Sequence, residues 1–222
     1  MKKTILYLSI ALFILTVAFS TSTVNVNAAS NKTLMTKYLK AFKNTDYKKA
    51  NSYIKKMKKT DKDTSLNKMS KKQKKAYLKV VKKYSKNLDI IYGDFLWGYY
   101  LADLNKDKKP ELLVQYGSCE ADVRTYVYTY KKGKAKKVGK IGSGHTGYVS
   151  YPGVGVVEVW GHMGYCNVSV LSMKGMILSS KSYGGQDTTK TGEDYCLPNN
   201  YLKSHINYDA NYSRSVDFSD LK

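Results

Sequence analysis

The spacing of hydrophobic residues changes once along the chain and divides it into a helical part and a β-rich part. Apolar residues recur every three or four positions between Leu34 and Leu88, as they do in amphipathic helices. From Phe95 onward apolar and polar residues alternate, which is typical of strands. The sequence therefore predicts an α+β fold in which about three helices precede an antiparallel, meander-like twisted β-sheet.

Charge changes at the same place as the hydrophobic spacing. Residues 30–88 contain 20 lysines, no arginine and three aspartates, so most of the net charge of +21 lies there. We predict a signal peptide over 1–28, a Lys-rich helical module over 29–88, an antiparallel β domain over 89–185 and a polar C-terminal tail over 186–222. Each predicted helix has an apolar stripe for packing and a lysine-covered face for solvent.

The first 28 residues are typical of a secretory signal peptide. Two lysines precede an apolar run over 5–19, and Val26-Asn27-Ala28 fits the small-x-small cleavage pattern. We expect cleavage after Ala28 and a secreted, extracellular protein without a membrane span. The alternative is an uncleaved anchor, for which the apolar run is short.

The lysine faces have three interpretations. They are solvated surfaces, electrostatic contacts with an anionic polymer such as cell wall, acidic lipid or extracellular DNA, or lytic amphipathic helices. Because arginine alone offers a flat bidentate fork, a lysine-only surface predicts no sequence-specific recognition of nucleic acid. The aromatic residues here fall mostly on apolar stripes, which indicates core packing rather than base stacking. These residues are Tyr38, Phe42, Tyr53, Tyr77 and Tyr84.

The β-rich part contains two segments with the same layout. Residues 111–142 and 155–185 each run strand, Gly, turn with Cys, longer strand, Lys-Gly and strand, although any two hairpins look alike. Two such units do not close a propeller, so we expect one open sheet covered on its apolar face by the helices. The predicted strands are 95–102, 111–116, 123–131, 135–141, 146–151, 154–161, 165–173 and 176–183.

An acidic loop carries the most specific motif of the chain. Asp103, Asn105, Asp107 and Glu111 occupy positions 1, 3, 5 and 9, and the carbonyl of Lys109 occupies position 7. Alternate residues of a tight loop turn inward and surround one hard cation with oxygen atoms. The loop therefore predicts a calcium site. The alternative is a polar turn held by Asx-type hydrogen bonds without a metal.

This loop resembles the calcium loops of FG-GAP and VCBS-type repeat proteins, which have the pattern D-x-[DN]-x-D-G-x-x-[DE] before a strand. It is also similar to D-x-N-x-D loops in uncharacterised secreted proteins of clostridia-like bacteria. The resemblance covers about a dozen residues and implies bound calcium. Lys108 departs from the pattern, because those loops have Gly at the sixth position, where the chain turns sharply.

A second polar cluster is predicted from the correspondence of the two β segments. Glu120 and Asp122 lie in one turn, and His162 lies near the matching turn of the other segment. His145 follows in a Gly-rich loop. Such a cluster binds zinc, performs acid–base chemistry, or forms a hydrogen-bonded network at a sheet edge. The literal G-x-G-x-x-G pattern over 142–147 precedes a predicted strand rather than a helix, so no dinucleotide site is expected.

Three cysteines allow one disulfide bond in an exported chain. Cys119 and Cys166 occupy matching places in the two segments, so we predict that they pair. Pairing of either with Cys196 is the alternative.

These features predict an exported, non-catalytic binding protein at the cell surface, with possible structural calcium and an anionic polymer or a protein as partner. The alternatives are a metal-assisted hydrolase using His145, His162 and nearby carboxylates, and a secreted protein inhibitor. Aromatic side chains on the strands provide contact area in the first and third cases, or core in part. They are Tyr99, Tyr126, Tyr128, Tyr130, Tyr148, Tyr151 and Trp160.

Overall fold

In the computed structural model, two antiparallel four-stranded sheets are stacked face to face, with helices on both outer faces. The structure describes residues 32–57, 69–86, 93–142, 144–151, 155–191, 205–208 and 214–222. Sheet 1 contains β1 (Phe95–Ala102), β2 (Glu111–Gly117), β3 (Arg124–Lys131) and β4 (Lys134–Ile141), and sheet 2 contains β5 (Thr146–Tyr151), β6 (Gly155–His162), β7 (Tyr165–Lys174) and β8 (Ile177–Asp187).

Each strand pairs with its neighbour along the chain, so both sheets are meanders. The predicted α+β class with an antiparallel meander is confirmed, and the eight predicted strands end within four residues of the observed ones. One open sheet was the wrong arrangement. The strands of sheet 1 are apolar on both faces, with Tyr100 and Leu113 on one face and Leu101 and Leu112 on the other. Both faces of such a sheet must therefore be covered by other secondary-structure elements.

The core between the sheets is one of three apolar clusters. Tyr100, Leu113 and Val127 of sheet 1 pack there against Tyr148 and Leu171 of sheet 2. The four layers are therefore two helices, sheet 2, sheet 1 and one helix.

The helices are divided between the two outer faces. Helix α1 (residues 32–43) and helix α2 (Tyr47–Lys56) pack on sheet 2, and helix α3 (Lys71–Tyr84) packs on sheet 1. Apolar clusters thus cross the boundary that charge suggested near residue 88, because each helical stripe is buried against a sheet.

Local side chains fix where two of these helices begin. The Ser70 hydroxyl accepts a hydrogen bond from Gln73 N at 3.1 Å, as an N-cap residue does. The Gln73 side chain does not return to Ser70 but donates to the buried carbonyl of Pro110. Asp46 caps α2 by accepting from Lys49 N.

The C-terminal segment is structural where it is described. Helix α4 (Thr188–Thr191) follows β8, and β9 (Ile206–Tyr208) pairs with β10 (Arg214–Val216). Leu221 is buried in the core between α3 and sheet 1. His205 is stacked on Tyr99 and lies 2.7 Å from Asp220, so this segment is attached to β1.

Among the described residues, no helix has both the length and the apolar character needed to cross a membrane. The predicted signal peptide over 1–28 lies outside these residues.

Candidate functional site

Lysine covers the outer face formed by α1 and α2. Apolar residues of both helices are buried against sheet 2, which turns the remaining positions toward solvent. Asp46 is the only acidic residue among the described residues of this segment. We call this surface the α1–α2 face, and its exposed lysines are Lys32, Lys37, Lys40, Lys43, Lys48, Lys49, Lys55 and Lys56.

A second lysine surface lies on the opposite side of the molecule. Tyr77 and Val81 of α3 are fully buried against sheet 1, so the lysines of α3 point outward. Strand β4 extends this surface, because Lys137 and Lys140 pair with Tyr128 and Tyr126 next to α3. We call it the α3 face, and its exposed lysines are Lys71, Lys72, Lys75, Lys79, Lys82, Lys83, Lys86, Lys137 and Lys140.

No carboxylate among the described residues forms an ion pair with a lysine of either face. The described ion pairs lie elsewhere, at His145–Glu120, Lys190–Asp187 and His205–Asp220. The two surfaces therefore present uncompensated positive charge.

The acidic loop joins β1 to β2, and its carboxylates collect backbone N–H groups. Asp103 accepts from Asp107 N at 3.2 Å and from Lys108 N at 2.9 Å. Asn105 Oδ1 accepts from Asp107 N, and Asp107 Oδ1 accepts from Lys109 N. Lys108 has a φ of 67°, so it adopts the left-handed conformation for which related loops use Gly.

Glu111 lies at the base of this loop. Its carboxylate accepts hydrogen bonds from Leu104 N, Thr129 Oγ1 and Asn105 Nδ2. Burial raises the pKa of Glu111 to about 7, and it also raises the pKa of Asp103. Both shifts have burial as their largest cause, because burial disfavours the charged form of a carboxylate.

The loop thus has the Asx-type hydrogen bonds of the metal-free alternative, together with a left-handed residue at its sixth position. Each carboxylate oxygen that accepts one N–H retains a lone pair. No group of three or more His, Cys, Asp or Glu residues in the described part of the chain is arranged as a metal site. Calcium at Asp103, Asn105, Asp107, Lys109 and Glu111 stays a prediction.

The second polar cluster is brought together only in part. His145 Nδ1 lies 2.7 Å from Glu120 Oε1, and the His145 ring stacks on His162 with centroids 4.0 Å apart. Gly144 makes this approach sterically feasible, because a Cβ there would overlap the carbonyl oxygen of Glu120. Asp122 is not part of the group. It accepts from the backbone N–H groups of Ser118 and Cys119, which lowers its pKa.

Stacking of the two imidazoles is unfavourable for a shared zinc ion. Imidazole lone pairs lie in the ring plane, and the planes of His145 and His162 are inclined by only 24°. Lone pairs of nearly parallel, stacked rings do not converge on one metal.

A pocket of about 320 Å³ adjoins His145 and lies between the ends of the two sheets. Sequence reasoning did not identify Trp97 or Gln115, which also line it, because both look like ordinary strand residues. The register shift in β1 between Leu96 and Gly98, next to Trp97, is visible only in the structure. The other lining residues are Glu120, Val123, Thr146, Gly147, Val159 and Gly161.

The predicted Cys119–Cys166 bond is wrong. Cys119 is free and exposed in the turn between β2 and β3, whereas Cys166 is disulfide-bonded and buried in β7. The two residues do not occupy equivalent turns, since one is in a turn and the other in a strand. The count of cysteines leaves Cys196, which lies outside the described residues.

The aromatic strand residues have several environments. Tyr99 and Tyr148 are fully buried. Tyr126 and Tyr128 contact Tyr84 of α3, which is also hydrogen-bonded to the Tyr128 hydroxyl at 2.7 Å. Trp160 is half-buried, and the side chain of Tyr151 lies outside the described part. Tyr126, Tyr128 and Tyr130 are half-buried like Trp160, so partly exposed aromatic surface lies on both sheets.

Comparison of the chain with protein-family models, with curated proteins and with solved structures finds no match. The resemblance of the acidic loop to FG-GAP and VCBS-type loops stays a prediction.

Proposed function

We propose that the protein is exported and binds an anionic polymer through its two lysine faces, without catalysing a reaction. The observation that supports this proposal is the absence of ion pairs from both faces among the described residues. The apolar stripes of the helices are already buried against the sheets, so lysine side chains are what the helices offer to a partner.

Export is supported by the disulfide bond of Cys166, because such bonds persist in oxidising compartments. The signal-like sequence over 1–28 is the second argument. The expected location is therefore outside the cell, where anionic surface polymers are abundant.

Recognition of the polymer is expected to depend on charge rather than on ring stacking. On the α3 face, the Tyr126 ring has Lys137 Nζ 4.1 Å from its centroid and is stacked with Tyr84. Neither ring face is therefore open to a nucleobase. Lysine ammonium groups act as point charges, which favours diffuse, salt-sensitive contact with phosphate or carboxylate groups.

Three matched variants test this proposal. One replaces Lys72, Lys75 and Lys79 of the α3 face with Gln, and a second replaces Lys37, Lys40 and Lys48 of the α1–α2 face. The control replaces three lysines outside both faces and lowers the net charge equally. The control residues are Lys174, Lys181 and Lys190.

Binding to long-chain inorganic polyphosphate is then measured in about 0.1 M salt. Each lysine near an anionic surface contributes on the order of 1 kcal/mol, so a face variant should bind about 10- to 100-fold more weakly. The control variant should bind within about threefold of the unmodified protein. Equal losses in all three variants would show that only total charge matters and would contradict a role for these faces.

We also propose that calcium binds the acidic loop and stabilises the connection between β1 and β2. With a dissociation constant near 1 mM, 10 mM calcium would add about 1.4 kcal/mol and raise Tm by about 3 to 6 °C. The matched variant is Asp103→Asn with Asp107→Asn, which keeps oxygen acceptors for the turn but removes two charges. An equal rise in this variant, or no rise in the unmodified protein, would contradict calcium at the loop.

A further inference from the structure

One end of sheet 2, where β6 turns into β7, carries a row of four aromatic rings that continues from the pocket to the surface. His145 stacks on His162, and Trp160 lies 6.5 Å from His162 and 6.2 Å from Tyr165 between ring centroids. We call these residues the aromatic row. The Trp160 plane is inclined by 58° to His162 and by 56° to Tyr165, so the rings form walls rather than one flat layer.

We propose that the pocket and the aromatic row together bind an uncharged saccharide chain. The lining of the pocket contains no lysine of either face, and the proposal does not depend on polyanion binding.

Two of the four exposed large apolar residues of the described chain lie at this end of sheet 2. The Met163 side chain is 87% exposed and Tyr165 is 44% exposed, both in the hairpin that joins β6 to β7. Met163 also has a φ of 47°, a conformation that bulky residues rarely adopt. The positive φ of Met163 and of Gly164 is that of the tight two-residue turn between β6 and β7, which leaves the Met163 side chain in solvent. The other exposed large apolar residues of the described chain, Met176 and Ile177, lie at the opposite end of β7.

The pocket supplies hydrogen-bonding groups beside the rings. The Glu120 carboxylate is 63% exposed and is held by His145, whose side chain is 19% exposed. Glu120 therefore has oxygen atoms available for hydroxyl donors while its position is fixed. Gln115 is already satisfied, because it accepts from the Tyr100 hydroxyl and donates to the Thr146 carbonyl. The pocket wall is thus rigid rather than adaptable.

The charged groups at this end of sheet 2 argue against an anionic ligand. No lysine or arginine lines the pocket among the described residues. Asp187 lies opposite Tyr165 in the pairing of β7 with β8. Its carboxylate forms an ion pair with Lys190, with Nζ 3.2 Å from Oδ2. Arg124 donates to the carbonyl groups of Ala121 and Val123. With Glu120 exposed, a phosphate or carboxylate would be repelled.

A sugar ring matches these features. It has an apolar face of C–H groups that packs against an aromatic ring and hydroxyl groups at its edge that donate to a carboxylate. Aromatic side chains with polar neighbours suit such amphipathic ligands, and a mostly apolar cleft with a few placed polar groups is typical of ligand sites.

The test uses three neutral hexasaccharides, of β-1,4-linked N-acetylglucosamine, β-1,4-linked glucose and α-1,4-linked glucose. Binding is measured by tryptophan fluorescence and by calorimetry up to 10 mM sugar. We expect one of them to bind and to change the emission of the half-buried Trp160. Trp160→Ala and Tyr165→Ala should each weaken this binding about tenfold, and Glu120→Gln should weaken it about threefold or more.

The matched control is Met176→Ser with Ile177→Ser, which removes exposed apolar surface elsewhere on sheet 2 and should leave sugar binding unchanged. The urea unfolding midpoint and the far-UV circular dichroism spectrum of each variant show that it folds. The proposal is overturned if none of the three sugars binds at 10 mM, or if binding survives Trp160→Ala and Tyr165→Ala. It is also overturned if the protein binds no sugar but self-associates, and Met163→Ser abolishes the self-association. This end of sheet 2 would then be a contact between protein molecules.

Discussion

Glu158 carries a carboxylate between the two sheets, and its burial predicts how stability depends on pH. It lies on β6 opposite Tyr148, and its Oε2 atom has no hydrogen-bond partner among the described residues. Burial raises the pKa of Glu158 to about 6 from the ordinary value of 4.5. The folded protein therefore holds this proton more tightly than the unfolded chain does.

A raised carboxyl pKa stabilises the folded state below pH 4.5, and this contribution is lost as pH rises toward 6. The shift of about 1.5 units corresponds to about 2 kcal/mol at most, because one unit equals about 1.4 kcal/mol. Glu158→Gln stays neutral at every pH and fills nearly the same volume. It should match the unmodified protein near pH 4.5 and exceed its free energy of unfolding by about 1 to 2 kcal/mol at pH 8.

The assay is urea unfolding at pH 4.5, 5.5, 6.5 and 8 for the two proteins. Other titrating groups, including Glu111, are present in both proteins, so the difference between the two free energies isolates Glu158. A difference that stays constant across this range would refute the reasoning, because Glu158 would then titrate equally in the folded and unfolded states.

Two further predictions concern the attachment of outer elements. Ser70→Ala removes the oxygen that accepts from Gln73 N, so it should lower the free energy of unfolding by about 1 kcal/mol in urea unfolding; no change would contradict the cap. Leu221→Ala should cost about 3 kcal/mol, because Leu221 is 1% exposed beneath α3, whereas Ile177→Ala, at a residue 72% exposed, should cost less than about 0.5 kcal/mol. Equal costs for the two would mean that the C-terminal segment is not packed as described.

The strands could be predicted from the sequence because alternation reports directly which residues face inward. The division into two sheets could not. In β1 the run Phe95–Ala102 is buried at nearly every position, which indicates that both faces are covered but not by what. The sequence predicts that the helices cover one face of the sheet, because they are contiguous along the chain. In the structure, α1 and α2 pack on sheet 2, whereas α3 packs on sheet 1 on the opposite side of the molecule.

Only part of the second polar cluster could be predicted from the sequence. His145 and Glu120 meet because the loop after β4 passes the turn after β2, which follows from the face-to-face stacking of the two sheets. Asp122 looked equivalent to Glu120, but an aspartate in a tight turn is often used by the turn's own N–H groups. Cys119 and Cys166 look equivalent in the sequence because each follows a Gly in its segment, but only Cys119 lies outside a strand.

The lysine faces are the central feature of this account, and the salt dependence of polymer binding tests them most directly. The binding constant for polyphosphate should be measured from 50 to 300 mM NaCl, with neutral dextran as the reference polymer. If several lysines contact phosphates at once, the logarithm of the constant should fall linearly with the logarithm of salt, with a slope of about −3 or steeper. A slope near zero, or equal binding to dextran, would contradict the proposed role of both faces.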